Sequence, residues 1–231
     1  MVESAGVVNQ VGLVLRHSPS YRWLQHNAQS GQHGTPMSLI FRDDQYIPVQ
    51  GMYASTWRGD KALAGAGTLL EHSIHDLDLI EWTLGDIVQV SAMTNNAHGI
   101  DGIEDQASVM LIAESGAHAV LSSTWHDIMS RPSLRSVELL CREAAFMVQG
   151  DWLGPVTEHM SGGASMSYDG DQLKGMLADV DEKSLNPDAD FVAAILGGYA
   201  AAPGFAVALR AHVLADAAYT SASEGGSPQM V

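Results

Sequence analysis

Residues Gly65 to Gly85 read GAGTLLEHSIHDLDLIEWTLG, a glycine-rich lead-in, a helical period and a cluster of polar groups. Thr68 with Glu71 three positions later is the pattern of a capping box, whose hydroxyl and carboxylate satisfy backbone N–H groups of a first helical turn. The pattern predicts a helix starting at Thr68. Leu69, Leu70, Ile74, Leu77, Ile80, Thr83 and Leu84 recur at helical spacing, and Gly85 stands where a left-handed C-terminal cap is wanted. Glu71, His75 and Asp78 lie three and four residues apart and so share another stripe of the same helix. A carboxylate one turn before a histidine orients the imidazole and favours its charged form, whereas a helix N-terminus and burial favour the neutral form. That balance suits acid–base chemistry near neutrality. Gly65 and Gly67 allow a ligand or another backbone to approach the helix start. The same spacing also fits a capping Glu71, an interior His75 and a solvated Asp78.

Outward from this helix the chain alternates helical and β-rich segments. Gln10 to Leu15 reads as a short strand, and Ser18 or Ser20 opens a helix through Tyr21, Trp23 and Leu24 that Gly31 stops. Pro36 to Tyr46 begins with the β-rich MSLIF and passes through Asp43 and Asp44 toward a loop. Beyond Gly85, strands are expected at Ile87 to Thr94, Gln106 to Ala113, Ala117 to Trp125, Leu134 to Cys141 and Ala145 to Val148, joined by short turns and one polar loop. Short connections imply antiparallel neighbours. Gly150 to Pro187 shows no sustained period and reads as a long loop with weak strands, including an acidic turn from Asp179. Two helices follow, one from Pro187 with Phe191, Ile195 and Leu196, and one from Phe205 to about Ala222 with Val207, Leu209, Val213, Leu214 and Tyr219 inward and His212 packed in the core. The fold class expected is α+β: a predominantly antiparallel open sheet with helices covering one face. Val109, Leu111, Val120 and Leu139 would then need cover from a second copy, although Ser108, Ser122, Thr124 and Glu138 soften that face.

Composition narrows the function. Of 231 residues 46% are apolar, sufficient for a core, and 27 acidic against 11 basic residues give a formal charge of −16. With no basic patch, nucleic acid and anionic membrane surfaces are poor partners. The single cysteine, Cys141, excludes an intrachain disulfide framework and fits a reducing, cytoplasmic setting. The uncharged run from Phe191 to Leu209 approaches the length of a membrane span, but Gly197-Gly198 and Pro203-Gly204 break it into two helices.

The run G-x-G-x-L-x-E-x-x-x-H-x-x-D, followed by Trp82 and Leu84-Gly85, resembles the signature of the C-terminal domain of the Gfo/Idh/MocA oxidoreductases, which include glucose–fructose oxidoreductase and inositol dehydrogenase. The tail AHVLADAAYTSASEGG is similar as well. That family has Asp where this chain has Glu71. The resemblance implies that His75 contacts the reacting hydroxyl of a sugar or polyol with Glu71 as its partner, and that Asp78 occupies a position where the family also carries an acid. It further implies that Trp57 and Arg58 line the substrate pocket, an aromatic stacking on a sugar ring and a guanidinium binding hydroxyls or a carboxylate. His159 is a weaker pocket candidate. The implied cofactor is NAD or NADP, and the family commonly associates through the sheet face, giving a homodimer or higher oligomer.

One part of the family's equipment is missing from these residues. No G-x-G-x-x-G follows a strand, and Lys61, Lys174 and Lys183 stand outside the Glu-Lys-Pro motif that carries the family's lysine. Residues 1–15 are therefore expected to be the remnant of a crossover from a nucleotide-binding domain, and 16–231 the substrate-binding and oligomerisation domain. A non-catalytic sugar-binding or dimerisation module derived from that family is the alternative. A metal-dependent hydrolase built on His72, His75, Asp76 and Asp78 is a third reading, without the outlying ligands such a centre needs.

Overall fold

The computed structural model describes residues 2–50, 53–177 and 182–231. After α1 (Val2–Ala5), the expected first strand is instead a single 3-10 turn, Val14–His17. Val11 donates to the Pro203 carbonyl while Leu13 and Leu15 turn inward, so the apolar run serves as a buried tether. The helix α2 (Pro19–Gln29) begins as its sequence indicates, with Ser18 Oγ accepting from the Tyr21 N–H and Pro19 at the first position.

The strand β1 (Pro36–Tyr46) is longer than MSLIF alone predicts. It continues through Asp43 and Asp44 because it is paired on both sides and because both carboxylates meet arginines. After it come α3 (Lys61–Ala64), α4 (Thr68–Glu71), α5 (Ile74–Leu84), β2 (Ile87–Asn95), β3 (Gln106–Ala113), β4 (His118–His126), β5 (Leu134–Cys141) and β6 (Ala144–Val148). The segment read as a loop contains β7 (Val156–Met160), β8 (Ser165–Tyr168) and α6 (Gly170–Met176), whose buried side chain is Leu173. The acidic turn expected from Asp179 falls mostly outside the described residues. The chain ends with α7 (Pro187–Gly197), α8 (Phe205–Ser223) and β9 (Gln229–Met230).

The nine strands form one sheet in the order β8-β7-β6-β5-β1-β4-β3-β2-β9, with β1–β4 parallel and every other pair antiparallel. The parallel pair is possible because α3, α4, α5 and the β2–β3 hairpin fill the long crossover between its members. This is the α+β sheet with helices on one face that the sequence pattern indicates. Leu39, Phe41, Val109, Leu111, Leu121 and Leu139 lie beneath the helices and are buried. Of the four residues expected on the uncovered face, only Val120 is there; it is exposed beside Ile40 and Met110, with which it pairs in register.

Two helices differ from their sequence reading. In α8 the buried stripe is Ala211, Leu214, Ala215, Ala218 and Ser221, whereas Leu209 is exposed and His212 is a surface residue bonded to the Ala208 carbonyl. Small residues let α8 lie close on β2, where Ser221 Oγ accepts the Ala92 N–H. The predicted single helix from Thr68 is broken at His72 and Ser73 into α4 and α5. Neither Thr68 nor Glu71 caps it. Glu104 does, its two carboxylate oxygens accepting from the Gly67 and Leu69 N–H groups and its backbone carbonyl from the Thr68 N–H. Gly67 is required there, since a Cβ would sit 1.8 Å from the Glu104 carbonyl oxygen.

Candidate active site

The break at His72 and Ser73 follows from the polar side chains that α4 and α5 carry toward the sheet. Ser73 Oγ donates to Ser123 Oγ at 2.7 Å, and Ser123 also meets Thr68 Oγ1 at 2.8 Å. The two hydroxyls pull successive turns onto β4, and the N–H groups of Asp76 and Leu77 then both bond to the Ser73 carbonyl. His75 is thereby placed in the first turn of α5, half-buried. Its Nδ1 is buried and has no hydrogen-bond partner among the described residues. Burial lowers its affinity for a proton; the Asp76 carboxyl works against this, and His72 and Arg135 reinforce it. His75 is thus a neutral imidazole at pH 7, able to accept a proton.

Glu71 does not reach His75. Because the helix breaks between them, their i,i+4 relation is lost, and Glu71 Oε1 instead accepts from Arg58 Nε at 2.5 Å. The Arg58 guanidinium in turn lies 4.7 Å from the centroid of the half-exposed Trp57 ring. Trp57, Arg58 and Glu71 therefore form one connected group beside the helix start. Asp78 is committed elsewhere: it is buried and takes a two-pronged bond from Arg16, at 2.8 Å from Nε and 2.7 Å from Nη2, which clamps α5 to the N-terminal turn. His159 is exposed on β7, opposite Ala145 and Ser165, on the uncovered sheet face and away from His75.

Beneath His75 lies a buried network that the motif does not announce. Arg135 on β5 contacts Asp151 Oδ2 at 2.7 Å, Asp76 Oδ1 at 2.9 Å, Asp43 Oδ2 at 3.3 Å and His72 Nε2 at 2.5 Å. The Asp76 contact is an ion pair without hydrogen-bond alignment, since neither Arg135 Nε nor either Asp76 oxygen has a hydrogen-bonded partner. Asp151 Oδ1 accepts from Tyr21 OH at 2.8 Å. Burial opposes charge on Arg135, but Asp76, Asp43 and Asp151 together outweigh it and keep the guanidinium charged. Burial also raises Asp43 and pushes Asp76 up to about 7. His72 Nε2 faces donors on Arg135 and Gln45 and, at 3.1 Å, Asp43 Oδ2; burial, reinforced by Arg135, lowers its affinity for a proton.

A separate cavity of about 670 Å³ opens at Gly65, Ala66 and Leu70 and runs past Lys61, Asn95, Glu104 and Tyr219. His75 is not among the residues that line it. Among the described residues no group of three or more His, Cys, Asp or Glu is arranged to hold a metal, and no helix is long and apolar enough to cross a membrane.

The description "GFO/IDH/MocA C-terminal domain" matches residues 21–147, more than half of the chain and the whole of the His75 region. The chain belongs to the GFO/IDH/MocA family. Among curated proteins, it is 27% identical over 128 residues to the uncharacterized oxidoreductase YrbE of Bacillus subtilis, covering 53% of this chain and 35% of that protein. It is 28% identical over 105 residues to 1,5-anhydro-D-fructose reductase of Ensifer adhaerens, covering 44% of this chain and 30% of the other. The aligned segments thus span about a third of these relatives. Levoglucosan dehydrogenase in complex with NADH superposes with a TM-score of 0.83 at 19% identity, over 100% of this chain and 67% of that one. An NAD-binding oxidoreductase from Klebsiella pneumoniae gives 0.83 at 19% identity, over 100% and 68%. At these identities the superpositions establish a shared fold.

Proposed function

We propose that residues 16–231 are the substrate-binding and oligomerisation part of an NAD(P)-dependent oxidoreductase acting on the hydroxyl of a sugar, polyol or related compound. Residues 1–15 are the crossover from its nucleotide-binding part. The observation that carries this reading is His75: an imidazole whose proton affinity burial lowers, at the start of a well-anchored helix and inside the family's motif, with Glu71 of the same motif bonded to Arg58 and Arg58 over Trp57. In oxidation the substrate carbon would give its hydride to the nicotinamide, which supplies the redox chemistry, while His75 takes the hydroxyl proton. Arg58, its charge balanced by Glu71, and the Trp57 ring would orient the substrate. Relatives named as reductases and dehydrogenases of sugar-like compounds support the substrate class.

Exposed apolar side chains support the missing-part reading. Val192, Ile195 and Leu196 of α7 and Phe205 and Leu209 of α8 stand in solvent, as a helix face does when the domain it packs on is elsewhere. The dinucleotide site would lie in that other part. Calorimetric titration of this chain should accordingly show binding of a sugar or polyol and none of NAD(H) or NADP(H); tight dinucleotide binding would overturn the assignment.

The uncovered sheet face, with Ile40, Val120, Met110 and Met93 bare, is the surface through which copies of the chain would associate. Sedimentation should give a dimer or larger species, and a compact monomer at micromolar concentration would exclude this contact.

A further inference from the structure

We propose that Asp43 and Asp76 share a single proton against Arg135, and that this acid pair acts on His75 as a positioning pair governing the charge the imidazole faces. The inference rests on the reading of His75 as proton carrier for its functional meaning, but not for its physical basis. Asp76 is 0% exposed and Asp43 is 2% exposed, so neither carboxyl is solvated. Both face one guanidinium, at 2.9 Å and 3.3 Å. The third acid on Arg135, Asp151, has a side chain 40% exposed and is stabilised by water and by Tyr21, so it adds no comparable demand. Two buried carboxylates and one cation leave one negative charge in excess, and a bound proton removes it at far lower cost than burying that charge.

The oxygen inventory agrees. Among the described residues no other group donates to either Asp76 oxygen or to Asp43 Oδ1, whereas a proton on Asp76 lets it donate to Asp43, a contact each carboxyl senses. Among the described residues the other basic group against the pair is His72, and burial, with Arg135 beside it, lowers its hold on a proton. From the α4–α5 link Ser73 Oγ donates to Asp43 Oδ2 and His72 Nε2 lies 3.1 Å from the same oxygen; Gln45 on β1 bonds to His72, and Tyr21 on α2 bonds to Asp151. Glu71 and Asp151 are further acids that bear on His72.

Asp76 adjoins His75 in the first turn of α5, and its charge is the principal influence opposing the burial of that ring. With the proton in place the pair and Arg135 together are uncharged, and His75 remains a free base as pH falls toward its own lowered titration. As pH rises through neutrality the pair ionises, and the new negative charge makes His75 a stronger base.

The test uses infrared and NMR titration of this chain and of Asp76→Asn and Asp43→Asn, with circular dichroism to verify folding. The wild type should show a buried, protonated carboxyl band at pH 6 that disappears above pH 8 and is absent from Asp76→Asn. The His75 ring shifts should show two inflections, its own in acid and a second near neutrality that Asp76→Asn abolishes; Asp43→Asn should shift that second step. A wild type with no protonated carboxyl band, or a second step that survives in folded Asp76→Asn, would overturn the proposal. In an enzyme reconstituted with a nucleotide-binding part, Asp76→Asn should lose the neutral-range rise in kcat/KM and keep the acid limb. If His75→Asn abolishes turnover but Asp76→Asn leaves the whole pH profile unchanged, the pair proposal fails and the reading of His75 stands. If His75→Asn turns over normally while the carboxyl band and second inflection are present, the reverse holds.

Discussion

Replacing His75 with Asn in a reconstituted enzyme is expected to lower turnover about 10²- to 10⁴-fold, the range over which a positioned acid–base group contributes. Asn is close in shape and keeps a hydrogen-bonding amide, so substrate affinity should change far less than kcat. The distinction matters because the His75 side chain carries little of the fold: among the described residues its Nδ1 has no hydrogen-bond partner, its ring meets His72 edge-on at 6.4 Å, and the first turn of α5 is held by Ser73. A stability loss is therefore not expected to mimic a catalytic one. The pH dependence gives a second handle. Burial, with help from His72 and Arg135, depresses the His75 titration below the ordinary histidine value, so the free base persists as pH falls and oxidation fails only once acid protonates it. Measured as nicotinamide reduction, near-normal turnover in His75→Asn would exclude His75 as the proton carrier.

How much of this was legible in the sequence depended on the range of each interaction. Strand positions from Gln106 to Cys141 follow from local alternation, and the structure reproduces them almost residue for residue. The helix carrying His75 was legible as helix but not as two pieces. Its break is made by Ser123 on β4 and its cap by Glu104, 37 residues beyond Gly67, and a window of one or two turns contains neither. The i,i+4 spacing of Glu71 and His75 makes them neighbours only within a continuous helix, which the break at His72 and Ser73 removes. The Asp43–Asp76–Arg135 cluster had a faint signal, Asp43 following the apolar start of β1. Arg135 had none, because it meets them across strand pairing that only the closed sheet creates. For α8 residue size points to the larger apolar side chains as the buried side, whereas close approach to β2 selects the alanines.

Arg135→Met is expected to be the most destabilising substitution in this chain outside the hydrophobic core. Methionine keeps much of the side chain's length and apolar stem but leaves Asp43 and Asp76 buried without a cation, a change that costs about 3–5 kcal/mol when one partner of a buried ion pair is removed. Urea denaturation followed by tryptophan fluorescence would measure it, with most of the loss falling in the midpoint rather than the slope. The electrostatic origin makes the deficit depend on pH with a definite sign. Asp76 titrates at about 7 in the folded chain against an ordinary 3.8. The stability contributed by its proton is therefore complete below the unfolded value and lost as pH rises through about 7. Without Arg135 both carboxyls need protons to remain buried, so the deficit relative to wild type should be larger at pH 8 than at pH 5.5. Arg135 also repels a proton from His72, and its removal lets His72 charge and pair with Asp43 in acid, which acts in the same direction. A deficit of equal size at both pH values would mean that Arg135 contributes packing and hydrogen bonds alone, and that the charge balance assigned to the buried acids is wrong.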